Sequence, residues 1–336
     1  MKPSTKNIPK PDKVMRYVFG HIPTRAVIAA VELDLFTHIH EGAHTLEELA
    51  DRSGASQRGL ALLADALCGL ELLDKRSGTY HLSPEAETYL VRTARAYLGG
   101  LVLHSTLVWE RWMRLREAVE QGRPADPGVE SDDDDGDFFA RWVDSLYNLN
   151  HPAAEAAAER LSPGVERVLD IGAGSGVWSL SFARRNTCCQ VVAVDRQAVI
   201  ERVTRPFAEK LGVGPQYSYR AGNFRNVELG SGEFDLAILG HILHSEGQQK
   251  SQTLLRKLHQ ALRPGGRLLV AEFIPDEERS TDTMALLFGL NMLLNTEEGT
   301  VFTRSELERM TSQAGFGPAE WLDVPAAYPL MLVHRR

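Results

Sequence analysis

Residues 168–178 read VLDIGAGSGVW, from Val168 to Trp178. Val168, Leu169 and Ile171 make a short apolar run of the kind that becomes a buried strand. Gly172, Gly174 and Gly176 follow at once, and without a Cβ they let the backbone turn tightly and approach a ligand. A helix after the turn would aim the free N–H groups of its first turn into the same space, as a strand-turn-helix does when it holds a nucleotide-like ligand. Asp195 closes the next apolar run, QVVAVD, nineteen residues beyond Gly176. A carboxylate at the carboxyl end of the neighbouring strand can accept hydrogen bonds from both ribose hydroxyls.

Glycine spacing separates two nucleotide classes. The dinucleotide fingerprint G-x-G-x-x-G requires a glycine where Val177 stands. A G-x-G-x-G turn followed by an acidic strand end instead resembles motif I of the class I S-adenosylmethionine-dependent methyltransferases. From Glu166 onward, apolar strand runs alternate with helical segments: RVLDIG, QVVAVD, YSYRAGN, FDLAILG, GRLLVAEF, WLDV and PLMLVHR. The alternation predicts an α/β, Rossmann-like sheet with helices on both faces; its seven strands resemble the methyltransferase sheet, which implies a catalytic domain over residues 161–336. Pro264, Gly265 and Gly266 should break the chain just before the fifth of these strands. Ligands of such a sheet bind outside the carboxyl ends of its strands. Gly172, Asp195, Asn223, His241, His244 and Glu272 should therefore converge on one crevice.

Residues 14–100 carry a different pattern. Ala26, Val27, Ala30, Val31, Leu33 and Leu35 line a helical face, and HTLEELADRSG holds a capping box of Thr45 and Glu48 with Gly54 as the stop. A second helix, SQRGLALLADALCGLELL, runs into two short strands around Ser77 and Gly78, completing a mostly helical, winged-helix-like domain. Residues 1–100 hold 12 Lys plus Arg against 12 Asp plus Glu, a balance of zero where a DNA reader is basic. Leu60, Leu63, Leu67 and Leu70 give the would-be recognition helix an apolar stripe with Arg58 as its one cation, so it suits protein packing. Residues 101–160 read as a helical connecting segment, aromatic-rich and suited to walling part of a substrate pocket. Within it, four consecutive aspartates lack EF-hand spacing and read as a solvated loop.

At 336 residues, 43% hydrophobic and 24% charged, the chain can bury two substantial cores. The formal net charge of −8 speaks against nucleic-acid partners, and no apolar run approaches the ~20 residues that span a bilayer. The opening residues lack a signal-type apolar stretch, and three cysteines at no metal-ligand spacing read as structural thiols. A cytoplasmic protein without a resident metal is expected.

Asn223 and Phe224 suit an adenine, the amide bonding the ring edge and the phenyl covering its face, although an asparagine in a turn also serves its own backbone. His244 follows the fourth sheet strand, before Ser245, which with Gln248 could form a capping box. Glu272 ends the fifth strand and could hold the imidazole in one tautomer. Histidine, with an ordinary pKa of ~6.5, can take a proton from a phenol as the oxygen is alkylated.

Taken together, these residues resemble the caffeic acid and hydroxyindole O-methyltransferases and their bacterial secondary-metabolite relatives, over nearly the whole chain. The resemblance implies S-adenosylmethionine as methyl donor, an aromatic small-molecule acceptor, and an intertwined homodimer formed by the N-terminal winged-helix domain. Position by position, it implies that Gly172, Gly174, Gly176 and Asp195 bind the cofactor, with Gly222-Asn223-Phe224 standing for the family's Gly-Asp-Met adenine contact. His244 matches the catalytic base, and Glu272 the glutamate that orients it. Trp142, Phe288, Asn291, Met292 and Asn295 are candidate acceptor contacts. Three departures stand out: the family's His-Asp pair reads His244-Ser245, Asn223 replaces an acid, and a second supporting glutamate finds only Glu297 and Glu298 nearby. Rival readings are carbon methylation on the same fold, a non-catalytic cofactor-binding regulator, and metal assistance by His241, His244 and Glu272.

Overall fold

A computed structural model describes residues 9–125, 143–326 and 328–336. The chain divides into two compact units, Met1–Leu107 and Val108–Arg336.

In the first unit, helices α1 (Asp12–Val18), α2 (His21–Glu32), α3 (Leu35–His40), α4 (Leu46–Ser53) and α5 (Gln57–Gly69) precede a hairpin of β1 (Leu73–Arg76) and β2 (Thr79–Leu82), followed by α6 (Pro84–Tyr89). The predicted stops and starts are present. Thr45 and Glu48 form a reciprocal capping box at α4, and Gly54 ends it at φ 71°, a left-handed turn that favours glycine. β1 and β2 pair antiparallel through Ser77 and Gly78, both at positive φ, as tight hairpins require. Helix α5 spends Leu60, Ala64 and Leu67 on a core shared with Phe36, Leu49 and Tyr80. Of its apolar stripe, Leu60, Leu63 and Leu67 are thus committed to this core, while Leu70 is exposed. By contrast, Val14, Tyr17, Val18, Phe19 and Ile22, on and beside α1, are all more than half exposed.

Helices α7 (Gly99–Met113), α8 (Leu115–Gln121) and α9 (Val143–Leu161) come next. The sheet of the second unit then forms from β3 (Arg167–Ile171), β4 (Gln190–Asp195), β5 (Tyr217–Ala221), β6 (Phe234–Gly240), β7 (Leu262–Ala271), β8 (Glu320–Leu322) and β9 (Leu330–His334). The strand order is β5-β4-β3-β6-β7-β9-β8. Strands β3 to β7 are parallel to their neighbours, and β9 runs antiparallel to β7 and β8. All seven expected strands are present. One boundary differs: Pro264, Gly265 and Gly266 lie inside β7 as an irregularity, where the pairing shifts from Phe234 opposite Leu262 to Leu236 opposite Arg267. Gly265, at φ 76°, lets the strand absorb the extra residues as a bulge.

Side-chain alternation divides the core into two faces. On β3, Val168 packs with Trp178, Phe182, Ala157 and Leu180 on one side. Leu169 and Ile171 pack with Val194, Leu239, Leu255 and Leu258 on the other. Each of these large apolar side chains contributes roughly 1.5–3 kcal/mol by leaving water. Helices α10 (Val177–Arg185), α11 (Leu243–Ala261), α12 (Thr283–Asn295) and α13 (Arg304–Gln313) complete the unit. The strand order reverses between β3 and β6, so a crevice opens at their carboxyl ends.

Candidate active site

The glycine turn is built from its own backbone. Gly172 and Ala173 donate to Val194 O at 2.8 and 3.3 Å, and Gly176 donates to Ala173 O at 2.6 Å. The Gly174 N–H donates to Asp195 Oδ2 at 2.8 Å. With their amides committed, the glycines serve shape. Gly172 sits at φ 61°, and a Cβ there would stand 2.3 Å from Ile242 Cδ1.

Asp195 also accepts the Arg196 N–H at 2.8 Å through Oδ1. Each of its oxygens thereby holds one backbone bond and keeps a lone pair for a hydroxyl. Burial raises its pKa above the ordinary value, against the pull of those two amides. Beneath the turn lies a network with no separate sequence signal. Ser179 Oγ donates to Asp170 Oδ2 at 2.5 Å and lies 2.9 Å from the Tyr217 hydroxyl. Burial pushes the Asp170 carboxyl up to about 7.

After β5, Gly222 (φ 137°) donates to Asp195 O at 2.9 Å, which ties this loop to the ribose-type acid. Asn223 Oδ1 accepts the Arg225 N–H at 3.0 Å, an Asx turn that fixes the loop. Phe224 is half-buried against the second core face. Arg225 makes a bidentate pair with Glu246, at 2.7 and 2.8 Å, and Glu246 is only 2% exposed. The sequence gives no local hint of this pair, whose partners lie on separate elements.

At the end of β6 the two histidines diverge in environment. His244 Nδ1 lies 2.6 Å from Glu272 Oε2, and the His244 backbone N–H donates to Glu272 Oε1 at 3.3 Å. Burial alone would raise the Glu272 carboxyl, but the adjacent imidazole and its hydrogen bond reverse this and hold it below the ordinary range. An ionised carboxylate on Nδ1–H leaves the lone pair on Nε2. Phe288 packs edge-on against the ring, centroids 4.9 Å apart. The backbone of His244 is fixed from the segment carrying Glu297 and Glu298: Thr300 N–H donates to His244 O at 2.8 Å. Both glutamate side chains are exposed.

The expected capping box of Ser245 and Gln248 is not formed. Ser245 Oγ instead donates to Ile242 O at 2.9 Å, and α11 breaks at Gly247 (φ 67°, ψ 176°). A Cβ at Gly247 would stand 2.5 Å from Glu298 O, so the helix entrance is shaped by close backbone approach.

His241 takes a left-handed φ of 63°, held by its N–H to Ala271 O at 2.9 Å. Its Nε2 lies 2.7 Å from the Tyr328 hydroxyl and 3.3 Å from Asn150 Oδ1. Tyr328 donates to Asn150 Oδ1, so Nε2 carries the His241 proton and donates. Burial pushes the imidazole down to about 4, and the ring is neutral. Tyr328 and Asn150 were not singled out in the sequence, because they meet His241 from 87 and 91 residues away. His241, His244 and Glu272 offer donor atoms within 4.8 Å of one another. A tetrahedral ion with bonds of ~2.0–2.1 Å would hold its ligands roughly 3.4 Å apart. The 2.6 Å contact between His244 and Glu272 is instead that of a hydrogen bond.

On α12, Phe288 faces Phe273 at 4.1 Å between centroids. Asn295 Nδ2 donates to Asn291 O at 2.7 Å, and Met292 is buried at 5% exposure. Trp142, with Phe138 and Phe139, lies outside the described residues, as do the four consecutive aspartates.

A seven-stranded sheet with a glycine turn, an acidic strand end and a reversal at its centre defines the class I methyltransferase fold. The comparisons narrow this. An O-methyltransferase domain matches residues 113–317, and an O-methyltransferase dimerisation domain matches residues 15–92. The tetracenomycin polyketide synthesis 8-O-methyl transferase TcmO of Streptomyces glaucescens is 31% identical over 328 residues, covering 94% of each chain. The 3-hydroxy-5-methyl-1-naphthoate 3-O-methyltransferase of Streptomyces sahachiroi is 29% identical, over 87% of this chain and 85% of that one. A solved structure from Nostoc punctiforme, described as an O-methyltransferase, superposes with a TM-score of 0.90 at 28% identity, over 98% of this chain and 100% of that one. The chain belongs to the S-adenosylmethionine-dependent O-methyltransferase family that carries this dimerisation domain. Relatives of this fold are solved with S-adenosylmethionine or its demethylated product bound. The turn suits that ligand: Gly172, Gly174 and Gly176 turn the backbone at positive φ with no side chain in the way, and Asp195 keeps lone pairs for two hydroxyls.

Proposed function

We propose that this enzyme methylates a phenolic hydroxyl of an aromatic small molecule of the secondary-metabolite type, with His244 as the general base. The observation that carries the proposal is the buried His244–Glu272 pair at the crevice, with Nδ1 on the carboxylate and no hydrogen bond to Nε2 among the described residues. S-adenosylmethionine supplies an activated methyl group, so the protein's tasks are positioning and proton removal. Gly172, Gly174, Gly176, Asp195, Gly222, Asn223 and Phe224 hold the donor. Nε2 takes the hydroxyl proton while Glu272 stabilises the imidazolium that forms. Phe288 supplies a flat wall beside the base, with Asn291, Asn295 and Met292 further along the same helix. Relatives whose names specify polyketide and naphthoate substrates support an aromatic acceptor.

The working form is a homodimer. Tyr17, Val18 and Phe19 are exposed apolar side chains in the segment matched by the dimerisation domain, and such a patch favours burial against a second copy. A cytoplasmic location belongs to the same proposal. Among the described residues no helix is long and apolar enough to cross a membrane.

Product analysis tests the reaction. With the donor methyl labelled by carbon-13 and a panel of naphthols and hydroxyanthraquinones as acceptors, the product should show a methoxy carbon resonance. A label found on ring carbon would instead support the carbon-methylating reading.

A further inference from the structure

Given the oxygen methylation proposed above, on which this rests, we infer that the aromatic acceptor carries a carboxylate remote from its reacting hydroxyl, and that Arg111 recognises it. Arg111 lies on α7 and is half-buried. Its Nη1 donates to Asn295 Oδ1 at 2.6 Å, and no Asp or Glu pairs with it among the described residues. Several other arginines of the second unit are neutralised, Arg160 by Glu320, Arg185 by Glu155, Arg225 by Glu246, Arg263 by Asp235 and Arg279 by Glu306, whereas the half-buried Arg267 donates to the Leu161 carbonyl. A partly desolvated guanidinium attracts an anion most strongly where no internal one serves it, and its planar fork matches a carboxylate.

The amide that meets it is held in orientation. Asn295 Nδ2 donates to both Asn291 O and Asn291 Oδ1, at 2.7 and 3.1 Å, which turns Oδ1 toward the cation. Asn291, Asn295 and Arg111 form a polar path that begins one turn beyond Phe288, the residue packed on His244. Phe288 and Asn295 are seven residues apart on α12, on the order of 10 Å at the rise of an α-helix. The cation is therefore held about two helical turns along α12 from the residue packed on the base. A carboxylate held there belongs at the end of the acceptor remote from its reacting hydroxyl, as in 6-hydroxy-2-naphthoate and not in 3-hydroxy-2-naphthoate.

Steady-state kinetics with three probes test this. They are 6-hydroxy-2-naphthoate, its parent 2-naphthol, and 3-hydroxy-2-naphthoate, whose carboxylate adjoins the hydroxyl. The wild type should prefer 6-hydroxy-2-naphthoate to 2-naphthol by roughly 10-fold or more in kcat/KM, the worth of a charged hydrogen bond, and mostly through KM. No such preference should appear for 3-hydroxy-2-naphthoate. Arg111→Met should abolish the preference while leaving 2-naphthol turnover within about twofold, and Arg111→Lys should restore part of it. Equal kcat/KM for 6-hydroxy-2-naphthoate and 2-naphthol in the wild type would overturn the inference and leave oxygen methylation standing. An equal loss on both probes in Arg111→Met would also overturn it, showing that Arg111 only braces α7 against α12. Should that variant fold poorly, the wild-type comparison alone decides. Methylation of none of the three, with S-adenosylhomocysteine still bound, would overturn the aromatic-acceptor reading and this inference with it.

Discussion

Replacing Glu272 by glutamine probes the dyad without emptying it. The carboxylate accepts two N–H groups of His244, at Nδ1 (2.6 Å) and at the backbone nitrogen (3.3 Å). An amide has one oxygen, so Glu272→Gln keeps at most one of these bonds and turns an NH2 toward the other donor. With oxygen toward Nδ1, the ring stays oriented, but a neutral acceptor replaces an ionised one just as the imidazole becomes cationic. Charged hydrogen bonds contribute about 1.5–3 kcal/mol and neutral ones about 1, so the barrier should rise by roughly 1–2 kcal/mol. That converts to a fall in kcat of about 5- to 30-fold. The lost backbone bond is present in ground and transition states alike and should register as a lower Tm. The assay is kcat at saturating S-adenosylmethionine from pH 6 to 9, with S-adenosylhomocysteine affinity measured alongside. Wild-type kcat in Glu272→Gln across that range would refute the positioning role. So would a loss explained wholly by weaker cofactor binding.

Asp195→Ala should weaken S-adenosylhomocysteine binding by about 10- to 100-fold, the worth of a charged acceptor serving a ribose, as read by isothermal titration. Asp170 has a raised folded-state pKa of about 7, so the folded protein binds its proton more tightly than the unfolded chain. Its contribution to stability should fall as pH rises from about 4 to about 7 and then level off. Asp170→Asn should flatten that slope in denaturant titrations at a series of pH values. Exhaustive chelation should leave turnover unchanged, because His244 Nδ1 and Glu272 are engaged with each other in a hydrogen bond; activity restored specifically by a divalent ion would revive the metal-assisted reading.

The sheet was legible because each strand is an apolar run bounded by glycine, proline or a charge, and parallel strands buried on both faces give the plainest pattern a sequence offers. The winged segment was legible for a different reason: Thr45, Glu48 and Gly54 are local signals, and local signals survive folding. The start of α11 was misread for the converse reason. Ser245 and Gln248 have cap spacing, yet Gly247 bends the chain to meet the backbone of Glu298, a contact made 51 residues away. Much of the candidate site is equally non-local. His244 and Glu272 could be paired because both end neighbouring strands, whereas Tyr328, Asn150 and Arg111 come from segments whose placement no periodicity announces. Glu246, buried in its pair with Arg225, is of a charged residue type that sequence reading assigns to the surface.

The central claim is that His244 removes the acceptor proton. Its most direct test is the turnover of His244→Ala at neutral pH on a simple phenolic acceptor, with cofactor affinity as the control. Turnover should fall by ~10²- to 10⁴-fold, with S-adenosylhomocysteine affinity nearly unchanged. The deficit should shrink as pH approaches the phenol's own pKa, near ~10, where the acceptor arrives ionised. Wild-type turnover by His244→Ala at neutral pH would contradict the account.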